Sequence, residues 1–266
     1  MISALPILLI TVISIGLWFY STTKVKEWES RGMAGLPLKW STIFLLSTIS
    51  AVITTTGAYF LGAPALGAVG LGLVGFLIPL VSVTDYSRYL IPREVSVAAY
   101  WIGVPLAIGY MLQVQSIQPI VQVLLWSVVV AVFFIFALVG WLGMGDVRIF
   151  ILGATAMAWW AGAEYLMLGL FLGTLLQVLI YIGAKLLNKG RHQEVTSLLQ
   201  STQDASSEKG EVPEEANKKP KKKRLHLPAG PAFLCGFLII GLLASAFPVS
   251  EIGSPTAKVY ELLGIY

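Results

Sequence analysis

The sequence predicts an all-α membrane protein: a polytopic bundle of about eight transmembrane helices with both termini outside the cell. Three observations support this class. Hydrophobic residues make up 56% of the 266 residues and charged residues only 12%, and the mean hydropathy is +0.80, which is far above that of ordinary soluble domains. The apolar residues form long uncharged runs, and basic residues recur in alternate connections. A transmembrane β-barrel would instead have short segments of alternating polarity.

The uncharged runs define the spans. They cover residues 2–23, 40–84, 95–145, 149–184 (interrupted only by Glu164) and 225–250. Because about 20 apolar residues cross a bilayer as a helix, the three longest runs must each fold back into a pair. Turn-forming or polar breaks, "GAPALG", "QVQSIQP" and "WWAGAEY", occur where such pairs need them. The first run has no basic residues before it and no convincing cleavage site, so it is interpreted as a span and not as a signal peptide.

Basic residues determine the predicted orientation. The second, fourth and sixth connections contain no lysine or arginine, whereas the odd-numbered connections do. Since lysine and arginine are retained on the cytoplasmic side, the odd connections are expected to be cytoplasmic. The basic residues are Lys24, Lys26, Arg31 and Lys39 in the first connection, Arg88 and Arg93 in the third, Arg148 in the fifth, and those of residues 185–224 in the seventh.

The predicted domain organisation follows from these runs. Residues 1–187 carry helices one to seven, residues 188–224 form a disordered basic cytoplasmic loop, residues 225–250 form the eighth helix, and residues 251–266 form an external tail. The loop is polar and has few aromatic residues, so it cannot bury enough apolar surface to fold alone. Its end, "NKKPKKKRLH", favours topology and attraction to anionic lipid over nucleic-acid binding.

Cysteine and histidine usage excludes several kinds of site. Cys235 is the single cysteine, so neither an intramolecular disulfide nor a cysteine-rich zinc site can form. His192 and His226 lie in or beside the polar loop, without a second ligand at metal spacing. The sequence therefore predicts no metal and no cofactor.

Two aspartates are expected at the cytoplasmic border of the membrane. Asp85 follows the third span and Asp146 lies between the fifth and sixth spans, whereas Glu164 falls on the opposite side. Two neighbouring carboxylates can share a proton, so that one accepts a proton from water while the other polarises a carbonyl group. Structural roles remain open at this point: Asp85 could pair with Arg88, and Asp146 could pair with Arg148 or cap the sixth helix.

Two short stretches around these aspartates resemble a known family. "GMGDVR", residues 143–148, is similar to the Gly-x-Gly-Asp signature of membrane aspartyl proteases, and in particular to that of the type IV prepilin peptidases, where "GGGDVK" is common. "DYSRYLIP", residues 85–92, resembles the first aspartate motif of that family. We call residues 85–92 the first aspartate motif and residues 143–148 the second aspartate motif. "LPAGPAFLCG" resembles a third family segment through Pro228, Gly230, Pro231 and Gly236.

The resemblance implies a function and a set of site residues. It implies a membrane aspartic endopeptidase that removes the basic leader from a prepilin-like precursor at the cytoplasmic border. Methyltransferase activity is not expected, because the first connection is short and lacks the cysteine pairs of bifunctional members. The implied localisation is a prokaryotic plasma membrane, and the implied partners are the precursor and anionic lipids. The implied catalytic residues are Asp85 and Asp146, with Gly143, Gly145, Arg88, Ile91, Pro92 and Arg148 as supporting motif residues.

Two other classes of protein remain as alternatives. A transporter or channel could use the same carboxylates to relay protons or bind cations, although the sequence has no recognisable inverted repeat of the kind common in transporters. A scaffold could display the basic loop without catalysis. The choice of substrate, a bacterial or archaeal origin and the oligomeric state are left undetermined by the sequence.

Overall fold

The computed structural model describes residues 4–88, 91–139, 144–206 and 230–247, and every regular element in these ranges is helical. The all-α class is therefore confirmed. The helices are α1 (Leu5–Trp28), α2 (Trp40–Phe60), α3 (Ala65–Arg88), α4 (Arg93–Val114), α5 (Gln118–Leu138), α6 (Met144–Gly153), α7 (Trp159–Ala161), α8 (Ala163–Ser206) and α9 (Gly230–Ala246), with π-helical segments at Glu29–Met33 and Ala154–Ala158.

Six of the described helices are long and apolar enough to cross a membrane: α1 to α5 and the beginning of α8. The predicted sixth span is divided into α6, a π-helical segment and α7. The predicted eighth span is the 17-residue α9, which is shorter than a typical membrane-crossing helix. These six helices indicate a multi-pass membrane protein. The count of eight spans and the side of the membrane on which the termini lie remain predictions.

Helix α3 lies at the centre of the bundle, because 72% of its apolar stretch is buried, compared with 11% for α5. Glycines along one segment of α3 make this burial possible. A Cβ atom at Gly75 would lie 2.5 Å from Thr54 Oγ1, and one at Gly70 would collide with the carbonyl oxygen of Ala156. The stretch "GAVGLGLVG" therefore serves internal packing, since small residues allow close helix approach.

The π-helical segment Ala154–Ala158 interrupts the helix that carries Asp146. Within it, the Thr155 hydroxyl donates to the carbonyls of Ile151 and Leu152 at 3.3 Å each, which competes with regular helical bonding. Gly103 of α4 faces the widened turn, because a Cβ atom there would lie 2.7 Å from the Thr155 carbonyl oxygen. The segment thus brings α4 unusually close to α6.

The chain divides into two compact units, Met1–Leu176 with Pro228–Tyr266, and Gln177–Leu227. In the second unit the backbone is helical through Ser206, so residues 188–206 differ from the predicted disordered loop. Glutamine, glutamate, leucine and lysine, which are common in this stretch, have high helix propensity. The rest of the predicted loop and the predicted tail 251–266 lie outside the described residues.

Candidate active site

Asp85 lies in the last turn of α3 and is 7% exposed. The backbone N–H of Gly230 donates a hydrogen bond to its Oδ2 atom at 3.1 Å. Gly230 is the first residue of α9, and the N-terminus of a helix carries a partial positive charge that favours a carboxylate. The burial of a carboxyl group so close to the membrane interior is therefore compensated by a directed backbone donor.

Glycine is required at position 230 by the space around it. A Cβ atom there would lie 2.9 Å from Asp85 Oδ2, 2.9 Å from Val81 Cγ1 and 3.1 Å from Ile149 Cδ1. All three distances are shorter than ordinary van der Waals contacts. The sequence resemblance includes Gly230 as a motif residue, but no sequence signal predicts its hydrogen bond to a residue 145 positions earlier.

Asp146 lies in the first turn of α6 and is half-buried. The preceding Gly145 packs on Ile91, since a Cβ atom at position 145 would lie 3.0 Å from Ile91 Cδ1. Arg148 Nη1 donates to the Ile91 carbonyl oxygen at 3.4 Å. The two aspartate motifs, which are far apart in sequence, therefore contact one another directly through Ile91, Gly145 and Arg148.

The two aspartates occupy corresponding positions on α3 and α6. Val81 and Ile149 both adjoin Gly230, and the contact between Ile91 and Gly145 places the residues just before α4 beside the start of α6. Asp85 lies one helical turn after Val81 on α3, and Asp146 lies one helical turn before Ile149 on α6. Because residues three and four apart share a helix face, each aspartate shares a face with a residue that adjoins Gly230. Gly230 thus lies against Asp85 itself and against Ile149, the residue one helical turn after Asp146.

The remaining predicted site residues are placed as follows. Pro92 is buried at the start of α4, and Arg88 is the last residue of α3, although its side chain is outside the described part. Gly143 lies outside the described residues. Glu164 lies in the first turn of α8, eighteen positions after Asp146, and the rest of α6, the π-helical segment and α7 lie between them in the chain.

A polar contact between α1 and α4 holds the chain next to the first aspartate motif. Trp28, which is fully buried, donates from Nε1 to Glu94 Oε2 at 2.8 Å, and Arg31 Nη1 donates to Glu94 Oε1 at 2.6 Å. Glu94 lies in the first turn of α4, just after Pro92. Sequence reasoning missed Trp28 and Glu94, because nothing in the local pattern predicts an interaction between residues 66 positions apart.

We expect Glu94→Gln to loosen the start of α4, because an amide NH₂ cannot accept the hydrogen bond from Arg31. Amide hydrogen exchange in residues 91–97 should accelerate about three- to fivefold, as for a partly exposed ion pair. Glu29→Gln is the matched control. Glu29 also accepts a hydrogen bond from an indole N–H, that of Trp40 at 3.3 Å, but this side chain is exposed and its partner is only eleven positions away in the sequence. Equal exchange in both variants would contradict the assigned role of Glu94.

In the ranges that the structure describes, no three histidine, cysteine, aspartate or glutamate side chains come together in a group that could hold a metal ion. The polar groups described around the two aspartate motifs include the two carboxyl groups and the Gly230 N–H. Such an arrangement can accept and donate protons and can orient a bound water.

Comparison with known proteins gives one match. Residues 71–182 match the model of the type IV leader peptidase family. This range includes both aspartate motifs but covers less than half of the chain. No curated protein and no solved structure matches the sequence. Over residues 71–182, the chain is therefore similar to the type IV leader peptidase family.

Proposed function

We propose that this chain is a membrane aspartic endopeptidase that removes the basic leader from a prepilin-like precursor, using Asp85 and Asp146 to activate a water molecule. The observation that carries this proposal is the contact between the two aspartate motifs, Ile91 against Gly145. Both motifs lie within the residues that match the leader peptidase family. Gly230 adds support, because it donates to Asp85 and lies against Ile149, one helical turn after Asp146.

The proposed mechanism uses one ionised and one protonated carboxyl group. The ionised aspartate takes a proton from water as the water attacks the scissile carbonyl carbon, and the protonated aspartate donates to the carbonyl oxygen. The aspartate that took the proton from water then donates it to the amine nitrogen as the C–N bond breaks, and the other aspartate takes a proton back from the diol, so that the products are a free acid and a free amine and no covalent enzyme intermediate forms. The shared proton belongs to the pair and not to either residue alone. The Gly230 N–H fixes the orientation of Asp85.

The proposed substrate suits this location. The resemblance implies a short basic leader, a glycine before the scissile bond, and a hydrophobic helix inserted in the membrane. Because the bond precedes the helix, membrane insertion brings it to the border where we place Asp85 and Asp146. We place this border on the cytoplasmic side of a prokaryotic plasma membrane, where the basic loop contacts anionic lipids. The enzyme removes the leader without methylating the new N-terminus.

The direct test is cleavage of a purified precursor by the purified full-length protein in liposomes. Mass spectrometry should find a new, unmethylated N-terminus immediately after the glycine, and a precursor with that glycine replaced by valine should resist cleavage. A chelator should leave the rate unchanged. Absence of leader removal from several prepilin-like precursors would contradict the proposal, and proton or cation flux in the same liposomes would favour the transporter alternative.

A further inference from the structure

Aromatic side chains of α5, α6 and α9 pack together near the candidate site. The Phe150 ring of α6 packs against the α9 rings of Phe233 and Phe237, with ring centroids 5.1 Å and 6.5 Å apart. Trp126 of α5 packs edge-on against Phe237, with centroids 6.1 Å apart. These side chains are all buried, and we call them the aromatic cluster. Because edge-to-face rings prefer defined orientations, the cluster holds α6 against α9.

Helices α6 and α9 lie side by side and run in the same direction. Their contacts occur in the same order along both helices: Ile149 with Gly230, Phe150 with Phe233, and Gly153 with Phe237. A displacement of α6 along α9 would disturb all of these contacts. The interface therefore determines the position of one helix along the other.

Each of the two helices carries one part of the candidate site at the turn before the aromatic cluster. Asp146 precedes Phe150 by four residues, or about 6 Å along α6. Gly230 precedes Phe233 by three residues, or about 4.5 Å along α9, and donates to Asp85 Oδ2 at 3.1 Å. A displacement of α6 along α9 would therefore change the separation between Asp146 and Asp85.

Trp126 adds a directed bond between α5 and this part of α6. Its indole Nε1 donates to the Phe150 carbonyl oxygen at 2.8 Å, and the side chain is fully buried. The bond lies one helical turn before the π-helical segment Ala154–Ala158. Since π-helical turns are places where helices kink, a hydrogen bond from a neighbouring helix at this point restricts the movement of α6.

We propose that Trp126 is a positioning residue of the candidate active site and that it sets the separation between Asp146 and Asp85. This inference rests on the proposed function, in which both carboxyl groups act on one water molecule. Trp126 acts through the Phe150 carbonyl group, one helical turn from Asp146. Ring contacts alone are weakly directional, whereas a hydrogen bond to a backbone carbonyl fixes the helix itself.

Removal of the indole N–H tests this role. Trp126 is replaced by benzothienylalanine, in which a sulfur atom takes the place of the N–H group and the shape of the side chain is kept. Because a small displacement of Asp146 impairs the activation of water, kcat should fall at least about tenfold while KM changes less than about twofold. Trp126→Phe should have the same effect, and the isosteric variant keeps the test valid if the smaller ring disturbs folding.

The same two replacements at Trp159 are the matched controls. Trp159 is 2% exposed and donates from Nε1 to the Thr155 carbonyl oxygen at 2.7 Å, so it loses the same kind of hydrogen bond. This bond joins residues four positions apart, beyond Phe150 in the chain, so kcat should stay within about twofold of the wild-type value. Equal loss of kcat at both positions, or wild-type kcat in the Trp126 variants, would overturn the proposal.

Crosslinking measures the separation without catalysis. Asp85→Cys and Asp146→Cys are combined with Cys235→Ser, and a short bifunctional thiol reagent joins the two cysteines in liposomes. Adding Trp126→Phe should change the initial crosslinking rate at least about threefold, and adding Trp159→Phe should leave it unchanged. An unchanged rate with Trp126→Phe would overturn the proposal. The proposed function is judged separately: failure of the wild type to cleave removes the peptidase assignment, whereas crosslinking still decides whether Trp126 sets the separation.

Discussion

Replacing either Asp85 or Asp146 with asparagine is expected to abolish leader removal. Asparagine has nearly the same shape as aspartate, and its carbonyl oxygen can still accept the hydrogen bond that Gly230 donates at 3.1 Å. It cannot take a proton from water or donate one as a carboxylic acid. Because general acid–base catalysis contributes about 10²- to 10⁴-fold, the rate of precursor cleavage should fall at least about 100-fold in each variant.

The loss of cleavage in these two variants must be distinguished from misfolding and from the loss of a negative charge as such. Membrane insertion and the elution of the purified protein in detergent should match the wild type. Glu164→Gln also removes a carboxyl group, but from the start of α8 at the opposite end of α6, so it should retain wild-type cleavage. The double variant should be no slower than the slower single variant, because residues that act as one unit are not additive. Full activity in either single variant would exclude the proposed mechanism.

Gly230→Ala is expected to have the second largest effect on cleavage. Its added methyl group would lie 2.9 Å from Asp85 Oδ2 and 3.1 Å from Ile149 Cδ1. Side-chain atoms can move to relieve these contacts, so the protein should still fold, but the Asp85 carboxyl group must shift. Since a misplacement of about 1 Å can cost on the order of 100-fold in rate, we expect kcat to fall at least about tenfold with little change in KM.

Gly153→Ala is the matched control for Gly230→Ala. Gly153 is also in a tightly packed part of the bundle, where a Cβ atom would lie 3.2 Å from Leu166 Cδ2, and none of its three nearest atoms belongs to Asp85. Overpacking of a core costs about 1–3 kcal/mol, so both variants should lose a similar amount of thermal stability. Only Gly230→Ala should lose activity. Equal loss of kcat in both would assign the effect to packing and contradict the role of Gly230.

The sequence alone was enough to predict the class of protein and the position of several breaks between helices. The break "GAPALG" separates α2, which ends at Phe60, from α3, which begins at Ala65, and "QVQSIQP" separates α4 from α5. Hydropathy and turn residues act locally, because each apolar side chain contributes to membrane insertion largely on its own. The family resemblance was likewise visible in short stretches around Asp85 and Asp146, and both stretches lie within residues 71–182, which match the model of the type IV leader peptidase family.

The division of the predicted sixth span was not visible in hydropathy. Residues 144–161 are apolar apart from Asp146, Arg148 and Thr155, yet they form α6, a π-helical segment and α7. The π-helical segment depends on glycines of other helices, Gly70 of α3 and Gly103 of α4, which leave room for its displaced backbone. A pattern of apolar residues records which side chains avoid water, but it does not record how closely two backbones can approach.

The sequence by itself determined that this is a multi-pass helical membrane protein with two aspartate motifs that resemble those of the leader peptidase family. The tertiary structure alone decided what surrounds those motifs: Gly230 against Asp85, Ile91 against Gly145, and Trp28 with Arg31 against Glu94. The physical reason is the distance along the sequence over which each effect acts. Hydropathy and helix propensity are properties of neighbouring residues, whereas a hydrogen bond or a steric contact depends on which distant segments the packed helices bring within a few ångströms.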